Sequence, residues 1–371
     1  MHRYFLFVKA AGLMAFLASA PQAVSAQTNL SHSIFVHGGG GYGQYPWGYA
    51  INSLDATYNF AQGYVEADVP NATSMWAWYS YIDDDVKADT SIMVGYSLGG
   101  VASRDLSQYE DIAGLITVGS PHNGAPIAAS LPSAANLIGA MEYDIGLALS
   151  VAIAEYLEAF TSIGESLYWD VIAGVDNAVY AAMGYLVYQG FGYLDTFPSG
   201  FTTDLPPGSS FMSQLPTGIT NSYTQSVAMY PGHQGGPLAL AGWSQEDADD
   251  EGEFLAYWGN QIQWTAYDAQ FYIDWGHEHA DEVYDALEAT ARLGSDLINF
   301  PWYWCGAVTS GSVYGSCSFG SDGLIPTIRQ TFTGVTDNSI LNNGPPHTKE
   351  LVNGTIISYV GARLCDISPS C

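Results

Sequence analysis

Five residues, Gly95-Tyr96-Ser97-Leu98-Gly99, constrain this chain more than any other stretch. They follow the apolar run Ser91-Ile92-Met93-Val94 and lead into Gly100-Val101-Ala102-Ser103-Arg104-Asp105-Leu106, which can continue as a helix. A strand that enters a helix through one tight turn leaves no space for side chains beside the turn, which explains Gly95 and Gly99. The same strained backbone pushes Ser97 Oγ out of the sheet edge. Alone, G-x-S-x-G is a weak signal in a chain with 41 Gly, because a Gly-rich turn without chemistry produces the same string.

The flanks supply the missing context. Ser33-Ile34-Phe35-Val36 reads as a short buried strand running into His37-Gly38-Gly39-Gly40-Gly41. Gly114-Leu115-Ile116-Thr117-Val118 reads as another, ending at Gly119-Ser120-Pro121-His122-Asn123-Gly124-Ala125-Pro126, and Ser226-Val227-Ala228-Met229 as the next. Strand-then-loop units in this order predict an α/β fold with a mostly parallel sheet whose strand ends carry the site.

With these segments in place, the chain resembles the bacterial secreted lipases and esterases of the α/β-hydrolase superfamily. The resemblance rests on HGGGG, GYSLGG, SPHNGAP and the run Ser321-Asp322-Gly323-Leu324-Ile325-Pro326, and extends over roughly residues 30–130 and 205–365. It implies an α/β-hydrolase fold, a mostly parallel sheet flanked by helices, with helical cap insertions. It also implies a Ser, acid, His order along the chain.

Residues 1–26 read as a signal peptide: His2, Arg3 and Lys9 are basic, Ala10 to Ala20 is apolar, and Val24-Ser25-Ala26 suits cleavage after Ala26. The protein is therefore expected to be secreted or periplasmic. In that compartment cysteines pair, and Cys305–Cys317 with Cys365–Cys371 is the favoured pairing, since each closes a short loop. Residues 27–126 and 205–371 are assigned to the catalytic domain. Residues 127–204, rich in Ala, Leu, Ile, Tyr and Gly, are read as a helical cap over an apolar acyl pocket. Residues 232–320 form a second insertion within the catalytic domain.

Ser97 as nucleophile needs a base and an orienting acid. Of eight histidines, only His347 follows a good acid candidate and lies in a loop before a closing helix, read over Thr348 to Leu364. His233, His277 and His279 are set aside, and His122 falls in the segment that is a structural loop in the resembled family. Asp322, in a D-G turn beside apolar Leu324-Ile325, is the acid of choice, and Asp337 is the reserve. The resemblance assigns the oxyanion-binding N–H groups to Leu98 and Gly39, with Gly40 as the alternative to Gly39. Activity is expected to rise as the imidazole loses its proton, around pH 6.5 for an unperturbed histidine.

Lys and Arg number 8 against 37 Asp and Glu; removing Arg3 and Lys9 leaves 6 against 37, a formal charge of −31. Such a surface excludes nucleic acid and disfavours anionic membranes and phosphate-rich substrates. The expected partner is an ester or lipid small molecule, with at most transient contact with lipid surfaces; the sequence does not set the oligomeric state. No cofactor and no metal is required. Asp247, Asp249, Glu251 and Gly252 echo the start of a calcium loop, but the twelfth position is Trp258 where an EF-hand needs a bidentate Glu, so only a looser structural Ca2+ site is left as the minor reading. Asp83-Asp84-Asp85 reads as a helix end or loop. The expected function is carboxylic ester hydrolysis. Thioester, amide or polyester cleavage would use the same groups, and a non-catalytic glycan- or surface-binding protein, suggested by 26 Tyr and 10 Trp, is the rival from another class.

Overall fold

Strand pairing decides how the motif-bearing loops meet. In a computed structural model, the structure describes residues 33–39, 47–58, 64–67, 74–86, 90–130, 200–229, 280–312, 314–317 and 320–368, with isolated positions 140, 260 and 263. Its strands are β1 (Ser33–Val36), β2 (Tyr64–Ala67), β3 (Ile92–Tyr96), β4 (Gly114–Val118), β5 (Ser222–Ala228) and β6 (Asp337–Asn342). They form one sheet in the order β2-β1-β3-β4-β5-β6, and every neighbouring pair is parallel. Val36 lies beside Gly95, and Tyr96 beside Val118, so the loops leaving β1, β3 and β4 emerge together at one edge.

Helices cover both faces: α1 (Gly48–Tyr58), α2 (Leu98–Leu106), α3 (Ala280–Ser310) and α4 (Gly354–Ile367). Side chains alternate across each strand. Ile34, Val36, Met93 and Leu115 turn to one face, where they pack with Leu98, Val101 and Leu106 of α2 and with Trp304 and Val308 of α3. Phe35, Val94, Ile116 and Val118 turn to the other, against Ile51 and Leu54 of α1 and Ile356, Val360 and Leu364 of α4. Burial on both faces is why β1, β3 and β4 read as unbroken apolar runs. This is the α/β fold that the sequence predicts, its parallel sheet flanked by helices.

Several boundaries differ from the sequence reading. β5 starts at Ser222 rather than Ser226, because its polar side chains are buried in hydrogen bonds. Thr224 and Ser226 hydroxyls both donate to Asn338 Oδ1 of β6, at 2.6 and 3.0 Å. β6 escapes a hydrophobic search because it is an edge strand with no fully buried residue. Thr348 does not begin the closing helix: His347–Val352 is a 3-10 turn, and Asn353 then caps α4 through Oδ1, which accepts from Thr355 N and Ile356 N at 3.0 and 3.2 Å. The 232–320 region contains α3, which packs into the core. Asp83–Asp85 is a 3-10 turn.

Cys305 and Cys317 form the expected disulfide, and Cys365 is disulfide-bonded as well, with Cys371 outside the described residues. No helix among the described residues is long and apolar enough to cross a membrane. The reading of residues 1–26 as a leader lies outside the described residues, as do most of the cap reading over 127–204, the acidic run 246–252, and His233, His277 and His279.

Asn353 satisfies two N–H groups at the start of a helix whose apolar face covers the sheet. Asn353→Ala should therefore lower unfolding free energy by about 1 kcal/mol. The measurement is a urea unfolding curve, in which the midpoint should fall and the slope stay unchanged.

Candidate active site

Ser97 is the single residue between β3 and α2. Its backbone sits at φ 53°, ψ −123°, a region that non-glycine residues rarely adopt and that costs about 1–3 kcal/mol. The surroundings hold it there. A Cβ on Gly95 would strike the backbone of Gly100, and one on Gly99 would strike the carbonyl oxygens of Val36 and His37. Gly38 packs from the other side, where an added Cβ would stand 2.7 Å from Ser97 Cβ. Ser97 N donates to Val118 O at 2.9 Å, tying the turn to the end of β4.

His347 arrives from the far end of the chain. Pro345 and Pro346 keep the approach extended, and His347 opens the 3-10 turn. Three contacts orient it. Its N–H donates to Asp322 O at 2.8 Å, Tyr96 Oη donates to its carbonyl at 2.5 Å, and its ring stacks on that of Tyr96 with centroids 5.1 Å apart. Its Nε2 then lies 2.8 Å from Ser97 Oγ, and its Nδ1 2.8 Å from Asp322 Oδ2. With Asp322 Oδ2 as the acceptor, the tautomer these partners require carries its proton on Nδ1, leaving Nε2 to accept from the serine hydroxyl.

Asp322 sits in a turn closed by a bridge between Ser321 and Pro326. Oδ1 accepts from Leu324 N at 2.9 Å and Ile325 N at 2.7 Å, and Oδ2 accepts from Gln330 Nε2 at 3.0 Å as well as facing His347. Both carboxylate oxygens are thus met by N–H donors. Trp304 of α3 donates its indole N–H to Gly323 O at 3.0 Å and braces the turn. The reserve acid, Asp337, lies instead on β6, 3.1 Å from Arg363.

Sequence reasoning missed Glu350. It is fully buried, and its Oε1 is 3.6 Å from His347 Nδ1. The available signal was its spacing, an acid three residues after the histidine in a segment that prolines keep from starting as α-helix. Two carboxyls now face one imidazole. Burial alone would lower the His347 pKa, but Asp322 and Glu350 together outweigh burial and raise it above the usual histidine value. The expectation of a midpoint near 6.5 is therefore corrected upward.

His122 is buried away from this relay. Its Nε2 pairs with Thr117 Oγ1 at 2.8 Å, and Arg104 Nη1 donates to its carbonyl at 2.7 Å. Burial, then the Arg104 charge, hold it well below the ordinary histidine pKa, so it stays neutral. Leu98 is the first residue of α2, where helix N–H groups lack intrahelical acceptors. Gly39 follows Gly38 in the buried loop after β1, whereas Gly40 lies outside the described residues. Asp322, His347 and Glu350 place ligand-type atoms within 4.8 Å of one another, a spacing that a cation also accepts. In this protein Nδ1 and the Asp322 oxygens are already committed to each other and to backbone donors.

Gln330 holds the acid turn in place. Nε2 donates towards Asp322, Ile325 O and Val227 O, and Oε1 accepts from Val227 N at 2.6 Å. Gln330→Ala leaves these buried groups unpaired and should lower unfolding free energy by about 2–3 kcal/mol. Differential scanning calorimetry should show a lower Tm, and an unchanged Tm would mean that water replaces the side chain without loss.

No family model matches the chain, and neither does any curated protein. Among solved structures it is similar to the Vlm2 thioesterase domain with genetically encoded 2,3-diaminopropionic acid bound with a dodecadepsipeptide, at 12% identity and a TM-score of 0.30, over 91% of this chain and 96% of that one.

Proposed function

We propose that this protein is a serine hydrolase that cleaves carboxylic esters through an acyl-enzyme, as an exported lipase or esterase. One observation carries the reading: Ser97 Oγ, the His347 ring and the Asp322 carboxylate stand in line, with 2.8 Å at each step. A glycan-binding protein has no use for that alignment, which brings together residues 25 and 250 positions apart.

In this mechanism His347 Nε2 takes the hydroxyl proton as Ser97 Oγ attacks the ester carbonyl carbon. Asp322 keeps the Nδ1 proton in place and stabilises the imidazolium. Backbone N–H groups of Leu98 and Gly39 meet the negative charge on the tetrahedral intermediate, a kind of contact worth about 3–4 kcal/mol per donor. The imidazolium then gives its proton to the leaving alkoxide. Water, deprotonated by the same imidazole, attacks the acyl-enzyme, releasing the acid and restoring Ser97. Every proton is accounted for by one histidine, and the acyl group by one serine.

The test is hydrolysis of a p-nitrophenyl ester series from acetate to long acyl chains, with a matched thioester and anilide. Ser97→Ala and His347→Ala should each reduce kcat by about 10^4-fold or more, since these groups act as a unit. His233→Ala and His277→Ala should retain most activity. The order of rates along the acyl series reads chain-length preference, and the thioester and anilide arms read the bond cleaved. A fluorophosphonate probe that labels Ser97→Ala as fast as wild type would defeat the assignment of the nucleophile.

A further inference from the structure

Glu350 is a buried acid that the relay of Ser97, His347 and Asp322 does not use. Among the described residues, neither of its carboxyl oxygens has a hydrogen-bond partner. Its place is built by two features. The 3-10 turn brings residues three apart into line, which sets Glu350 beside His347. Gly119, at φ 55° just after β4, then leaves open the space the carboxyl fills, because a Cβ there would overlap it. An ionised carboxylate without donors is unstable in such a site unless a cation stands beside it, and the imidazolium of His347 is the adjacent cation.

We propose that Glu350 is a positioning residue that shares one proton with His347 and so sets the pH at which the imidazole becomes a free base. The inference rests on the reading of His347 as general base. At low pH His347 is an imidazolium and Glu350 a carboxylic acid. After one proton leaves to solvent, the remaining proton sits on either the imidazole or the carboxyl. After the second leaves, a neutral imidazole faces the Glu350 carboxylate. Such a pair titrates in two macroscopic steps.

The directions agree with this account. Burial raises the Glu350 pKa, the His347 charge pulls it back, and Asp322 raises it further. The sign for His347 follows: a negative Glu350 holds the proton on the imidazole, so removing that charge frees the base at lower pH. Other titratable groups on the packed elements are Tyr96 on β3, Tyr49, Asp55 and Tyr58 on α1, Lys349 on the turn, and Tyr359, Arg363 and Asp366 on α4. Among the described residues, His347 and Asp322 are the groups whose charges act on the Glu350 carboxyl.

The test uses the whole protein in two independent arms. The first is a 15N-histidine NMR titration of His347, assigned by its absence in His347→Gln, for wild type, Glu350→Gln and Glu350→Met. Wild type should show two protonation steps, and each variant one step with a lower midpoint. The second arm is the rate of fluorophosphonate labelling of Ser97 against pH. Part-way up the wild-type limb, each variant should label roughly tenfold faster relative to its own plateau, the change that one pH of midpoint shift produces. Should neither variant fold, the wild-type titration decides alone, and a single step overturns the proposal. Unchanged midpoints in the variants overturn it too, even when their plateau rates fall, since lost packing changes a plateau without moving a midpoint. Absence of Ser97 labelling at every pH refutes the hydrolase reading, while the NMR arm still reports on the shared proton.

Discussion

Backbone lies directly on backbone where α2 leaves β3, and the rest of the site depends on that contact. Gly99 touches the carbonyls of Val36 and His37, and Gly95 touches Gly100, with no side chain between. A methyl group at either position would move α2 away from the sheet edge. Ser97 would then lose the positive φ that aims its hydroxyl along the edge rather than into the core. The same contact fixes the loop after β1, because Gly38 is packed against Ser97. A single close approach therefore positions both Ser97, the proposed nucleophile, and the loop expected to bind the oxyanion.

The parallel register carries that precision outward. β1, β3 and β4 end level with one another, so a residue just beyond each strand reaches the same edge. β5 and β6 extend the sheet, and the acid turn is tied to β5 by Met229 N donating to Ser321 O at 2.7 Å and by Gln330. His347 comes from the loop after β6. Each member of the relay is therefore held by a different strand end, and each is reinforced by backbone hydrogen bonds rather than by flexible side chains alone.

Much of this was legible in the sequence, for physical reasons that also mark where reading stops. Strands buried on both faces give apolar runs, so β1, β3 and β4 stand out. Tight turns demand glycine, so the segment around Ser97 is visible, and proline before His347 marks a loop that leads into the closing segment. β5 was read short because Ser222, Thr224 and Gln225 are buried with satisfied hydrogen bonds, and a hydropathy pattern cannot see a partner. β6 alternates between half-buried and exposed residues, a pattern shared with many loops. Gln330 and Glu350 were invisible for a deeper reason. Gln330 matters through a turn eight residues away, and Glu350 through a 3-10 turn read as α-helix.

The two carboxyls beside His347 show how environment, rather than residue type, divides the work. Asp322 and Glu350 are equally buried, yet among the described residues one accepts two backbone N–H bonds and an amide N–H while the other accepts none. Transfer of an unpaired charge out of water costs far more than a hydrogen-bonded one, and burial accordingly raises the Glu350 pKa. The turn and Gln330 donate to Asp322. Glu350 has no such donor among the described residues and faces the His347 ring at 3.6 Å, which is the ground for proposing that its proton and the imidazole's are linked. The donors come from Leu324, Ile325 and Gln330, and the empty space from Gly119. On the proposed reading, which carboxyl orients the base and which one responds to pH is thus decided by a turn and a glycine, neither of which bears a charge.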